Sequence, residues 1–204
     1  MLEYIISGFT FAFAAAVQPG PLLTYLISQT LSKGWKSTLP ATLAPLLSDG
    51  PIILLVLFLL SHISASMISI LQILGGLFLL YLSFSTYKSW KNYSFERSMK
   101  ELSPAQTVLK AALVNFLNPG PYLGWSLIMG PLLIKGWHES PSYGLALLVS
   151  FYTTIIIVMG VIIVVFAAAR NLGPKLNKML IGISALALLA LGLFDLYSGA
   201  RVYF

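Results

Sequence analysis

The sequence predicts an all-α integral membrane protein: six transmembrane helices in two inverted three-helix repeats, with helices one and four each broken at a Pro-Gly-Pro motif. Three observations predict it. The composition is too apolar for a soluble domain, six apolar stretches reach membrane-spanning length, and the same break occurs twice. Hydrophobic residues make up 58% of the chain and charged residues 9%, against about 25% charged in a typical soluble domain. Mean hydropathy is +0.89. Such a chain cannot cover itself with polar surface. It has no cysteine, which excludes disulfides, thiol redox chemistry and thiolate metal sites.

The apolar segments fall at about 4–32, 38–61, 67–87, 107–134, 143–168 and 177–200. Each reaches the roughly 20 residues that a helix needs to cross a bilayer. They form one transmembrane domain over 1–204, with repeat one at about 1–88, a cytoplasmic connector at about 89–106 and repeat two at about 107–204. The connector is the longest polar stretch, holding Lys91, Arg97 and Lys100 with Glu96 and Glu101. The first segment is not read as a cleaved signal peptide, because Glu3 stands where a basic region is expected.

Segment one carries Gln18-Pro19-Gly20-Pro21, and segment four carries Asn118-Pro119-Gly120-Pro121 one hundred residues later. Proline lacks the backbone donor and clashes with the carbonyl four residues earlier, so each motif breaks its helix. The carbonyls of Ala15, Val17, Asn115 and Leu117 are expected to lose their usual partners. At membrane depth this is tolerated only where protein or a water-filled cavity satisfies the freed groups. At 1.5 Å per residue, both breaks fall near the bilayer midplane. Lys33-Gly34-Trp35 closes the first segment, and Lys135-Gly136-Trp137 is expected to close the fourth. Three crossings per half make the second half enter from the opposite face, as in the inverted repeats of secondary transporters. Proline also interrupts segment two, while segments three, five and six have none. Three disrupted helices therefore lean on three regular ones.

Charge gives the orientation. Ten of the twelve Lys and Arg residues fall in or beside the first, third and fifth connections; only Lys135 and Arg201 lie on the other side. The positive-inside rule then places both termini outside the cytoplasm. The net charge of +6 is explained by topology rather than by nucleic-acid binding.

Candidate binding residues cluster at the breaks. Helices restarting around Gly20–Leu22 and Gly120–Tyr122 present free N–H groups and partial positive charge, suited to a substrate carboxylate. This makes Gln18, Pro19, Gly20 and Pro21 candidates in one half. Asn118, Pro119, Gly120, Pro121 and Tyr122 are the candidates in the other. Asp49 lies at similar depth between Pro45 and Pro51. A buried acid there costs at least about 2.5 kcal/mol, so it must face a cavity or a partner. It is the candidate for holding an ammonium group and for carrying a proton. Asn115 and Asn118 also suit bridging between helices. Thr153 and Thr154 lie at the corresponding depth of segment five, offering hydroxyls to the site or to their own helix. Asp195 is read as meeting water or Arg201 near the outer end of the last helix, with carrying the coupled proton in place of Asp49 as its alternative role, and Gly75-Gly76 as close helix packing.

No convergent set of catalytic side chains is visible, so an enzyme is not predicted and no cofactor is implied. A metal-ion exporter would want several carboxylate or imidazole ligands in the membrane. Asp49 is the one clearly deep acid, and His62 and His138 lack metal-ligand spacing.

The stretch from Pro19-Gly20-Pro21 to Gly34, followed by Ser48-Asp49, resembles the first two helices of the LysE/RhtB family of amino-acid exporters. Gly75-Gly76-Leu77-Phe78-Leu79-Leu80-Tyr81-Leu82 resembles that family's third helix, and Asn118-Pro119 the Asn-Pro motif of its fourth. Gly182 and Gly192-Leu193 are compatible with its last. The resemblance implies a small inner-membrane exporter of amino acids or related zwitterionic solutes, driven by the proton gradient and forming a homo-oligomer. A metal-ion or other small-solute exporter, or a channel of the same architecture, is the alternative. Many relatives have Asn-Pro-Lys where this chain has Asn118-Pro119-Gly120. Thr38, Ala44 and Ser48 stand where relatives often carry glycine.

Overall fold

The computed structural model describes residues 1–59, 65–91, 103–170 and 173–201. Every regular element among them is helical. Residues 92–102 of the expected connector lie outside the described residues, as does His62.

The first segment is two helices, α1 (Leu2–Val17) and α2 (Pro21–Lys33), bent by 59°. Gln18 is extended, with φ −61° and ψ 124°, as the residue before a proline prefers. Pro21 then opens α2 at a position where its missing N–H would have had no partner anyway. The fourth segment repeats the device. In it α6 (Pro104–Leu117) ends at Asn118, whose φ of −80° and ψ of 126° nearly match Gln18. Then come α7 (Pro119–Gly124), a π-helical turn over Trp125–Met129 and α8 (Gly130–Glu139). One expectation fails at this break. The Asn115 carbonyl is not left without a partner, because it accepts the Asn118 N–H at 3.2 Å.

Segment two is α3 (Trp35–Thr38), a 3-10 turn over Leu39–Leu43 and α4 (Ala44–Leu59), with Pro51 inside α4. The proline-free segments are long single helices: α5 (Ala65–Lys91), α9 (Pro141–Arg170) and α10 (Pro174–Ala200). Among the described residues four stretches are long and apolar enough to span a membrane, and the bent pair α1–α2 makes a fifth. The expected sixth, at 107–134, does not pass as one span, because the break at Asn118 and the π turn divide it. Leu54, Leu77, Val161, Val165, Leu186 and other large apolar side chains face outward. Water would not tolerate so much exposed apolar surface on a monomer; lipid does. This is a multi-pass membrane protein.

Helices α5 and α10 pack closely along their lengths. A Cβ added to Gly76 would lie 2.8 Å from the Gly192 carbonyl oxygen, so only glycine permits the approach expected of Gly75-Gly76. Ser83 Oγ donates to the Ala185 carbonyl across this seam at 2.9 Å, and Ser69 Oγ donates to the Gly199 carbonyl. Elsewhere α1 lies on α9 and α4 on α6. Helix α2 runs through the middle, touching α5, α6, α9 and α10, and none of its residues is exposed.

The two Lys-Gly-Trp triplets are not equivalent. Gly34 takes φ 90° and ends α2, which suits glycine. Gly136 instead stays inside α8 against the Tyr4 ring, and the helix continues to Glu139. Lys135 pairs with Glu3 at 3.7 Å and Glu139 at 3.8 Å. At the opposite end, Asn177 Nδ2 donates to the Leu31 carbonyl at 3.2 Å and Lys178 covers the Trp90 ring at 5.6 Å.

Candidate functional site

Both breaks border one cavity of about 360 Å³. Gln18, Pro19, Gly20 and Pro21 line it from one half; Asn115, Asn118, Pro119, Gly120 and Pro121 line it from the other, with Asp49 between. The exception among the expected residues is Tyr122. Helix α7 rotates it away from the cavity into the core, where it is 1% exposed and meets Phe116 edge-on at 6.2 Å.

Asp49 is 3% exposed. Asn115 Nδ2 donates to Asp49 Oδ1 at 2.8 Å and to Ser48 Oγ at 2.7 Å. Ser48 Oγ donates in turn to the Ala44 carbonyl at 3.1 Å. The Trp125 side chain lines the same cavity. A hydrogen bond to a charged group contributes roughly 1.5–3 kcal/mol. The Asn115 donor offsets much of the roughly 2.5–3.5 kcal/mol that an acid costs at a membrane helix centre. Asn115 therefore does both things its sequence position allowed: it lines the cavity and it bridges α6 to α4.

The two restarting helices differ at their N-termini. Asn118 Oδ1 accepts the Gly120 N–H at 3.0 Å, so α7 is capped by its own chain. At α2 the cap position is Gly20, which has no side chain to offer. The first N–H groups of α2 are thus left for whatever occupies the cavity.

Two features were not foreseen. Asp195 neither meets bulk water nor pairs with Arg201. It is 8% exposed, lines the cavity, and makes no ion pair among the described residues. Its place near the end of α10 hid this, because the cavity extends toward that end; depth along one helix does not report burial. Gln72 of α5 also lines the cavity, and a lone amide in an apolar run was the available signal. Trp125, just after the second break, also lines the cavity and opens a π turn. Such turns recur at functional sites and change which face a side chain takes.

The hydroxyls of Thr153 and Thr154 do not reach the site. Thr153 is exposed, Thr154 is buried elsewhere, and α9 turns Phe151, Ile155 and Met159 to the cavity. Trp125 meets Phe151 edge-on at 5.4 Å, and Phe11 stacks on it at 6.1 Å. The cavity therefore offers two carboxyl groups, an uncapped helix N-terminus and an aromatic wall. Together they suit a small molecule bearing both charges.

No curated protein and no solved structure matches the chain. The family model of the LysE type translocator matches residues 13–199, a range that includes both breaks, Asp49, Asn115 and Asp195, and the chain belongs to that family.

Proposed function

We propose that this translocator exports an amino acid or a related small zwitterion across the cytoplasmic membrane in exchange for protons. The observation that carries the reading is the single cavity holding Asp49 and the uncapped start of α2. A zwitterion presents its ammonium to the acid and its carboxylate to the helix N-terminus. The volume of about 360 Å³ lies within the range of small-molecule sites, about 300–1,000 Å³. The second carboxylate anchor expected at Gly120 is weakened, because Asn118 already occupies that N–H.

The inverted repeat is supported by how the helices pair. Helix α5 packs on α10, the last helices of the two halves. The pairing of α1 with α9 is mirrored by that of α6 with α4. Ten of twelve basic residues on one side support a cytoplasmic Lys33 end and outside termini. In this reading the halves rock about the α5–α10 seam, Asp49 takes up a proton from outside as solute leaves, and Asp195 adds a second negative group to the same cavity. A metal-ion cargo would find no three converging His, Asp or Glu side chains among the described residues.

The test is efflux of an amino-acid and dipeptide panel from loaded, energised cells with and without the protein. Faster efflux of one group, lost when the proton gradient is collapsed, is expected. No change across the panel, with the protein verified in the membrane, would remove the amino-acid reading.

A further inference from the structure

Between the cavity and the Lys33 end the bundle is packed shut. The cavity lining stops at Leu23 on α2, Asn115 on α6 and Met159 on α9. Past those levels Tyr25, Leu26, Ala111 and Ile163 are buried. What fills this region is not uniformly apolar. Helix α2 carries Tyr25, Ser28, Gln29 and Ser32 at spacings that place them on one face, the face of Pro21 in the cavity wall. Ser28 bonds to Thr86 at 2.9 Å. Tyr25 Oη, Gln29 Oε1 and Ser32 Oγ are buried without a hydrogen-bond partner, and so is Thr107 Oγ1 on the contacting helix α6. Thr107 stands eight residues before Asn115 and eleven before Asn118, which puts it on their face of α6. Both polar faces of the cavity thus continue past its floor.

Buried polar atoms in folded proteins nearly always have partners, and each exception calls for an explanation. Four exceptions in line with the cavity share one. We propose that this column is the closed half of the translocation path: a second polar chamber on the Lys33 side, which fills with water and admits the solute when the bundle opens at that end. Partly buried Lys33, at its mouth, lies within electrostatic reach of Lys110. That pair suits a solute carrying a carboxylate. The inference rests on the exporter reading for its solute, and on the packing alone for the chamber.

The chain has no cysteine, so single-cysteine variants need no background removed. Ser32→Cys and Thr107→Cys alter little volume, and Leu31→Cys, fully buried on another face of α2, is the control. Each is reacted in membrane vesicles with a small charged thiol reagent that cannot cross the bilayer. The reagent is applied first at the Lys33 end and then at the opposite end. A permeant reagent after denaturation reports the total thiol. Ser32→Cys and Thr107→Cys are expected to react from the Lys33 end about tenfold faster than Leu31→Cys, because labelling tracks the population of the open form. Rates no faster than Leu31→Cys, with all three thiols present after denaturation, would overturn the chamber. Export by the same variants separates the two claims. A labelled column without amino-acid export keeps the chamber and removes the proposed solute; export with an unlabelled column removes the chamber alone.

Discussion

At the scale of residues, the site depends on one contact between the halves of the chain. Asn115 donates to both Ser48 and Asp49, so Asn115→Ala removes a donor from each. Losing a hydrogen bond to a charged group costs roughly 1.5–3 kcal/mol, which is about 10- to 150-fold in apparent solute affinity. Export measured over a range of internal solute concentrations should show that loss with normal membrane levels of protein. The two acids are expected to behave differently. Asp49→Asn should remove the dependence of export on the proton gradient. Asp195→Asn should weaken solute binding and leave that dependence in place. Efflux with and without an uncoupler distinguishes them, and full proton-dependent export by Asp49→Asn would end its coupling role.

At the scale of elements, the breaks were legible and their surroundings only partly so. Proline and glycine act on the backbone locally, so the interruptions at Gln18 and Asn118 follow from the sequence and appear with nearly the same dihedral angles. The acid at Asp49 was legible because charge in an apolar run is expensive. The place of Asp195 was not, since the reach of the cavity decides it. The repeated Lys-Gly-Trp misled for a related reason. A triplet specifies no dihedral angle, and only Gly34 takes the positive φ that ends a helix. The glycines also predict stability. Gly76→Val drives a side chain into α10 and should cost at least about 1–3 kcal/mol, the usual overpacking penalty. Gly50 has nothing within 4 Å of an added Cβ, so Gly50→Ala should be neutral or stabilise α4 by up to about 1 kcal/mol. Thermal unfolding of both variants in detergent measures the contrast.

At the scale of the whole molecule, a central, polar α2 with no exposed residue sits within an apolar exterior and a one-sided charge distribution. A reporter fused to the N-terminus should lie outside the cytoplasm, because only two of twelve basic residues fall on that side. In the proposed function the cavity at the two breaks binds a zwitterion and couples its movement to protons. The most direct measurement is uptake of labelled amino acids into proteoliposomes holding the purified protein, with a pH gradient imposed across the membrane. The account predicts accumulation of one amino-acid class above its external concentration, abolished by dissipating the gradient and absent in a folded Asp49→Asn variant. Equilibration without accumulation, or accumulation unchanged in Asp49→Asn, would contradict it.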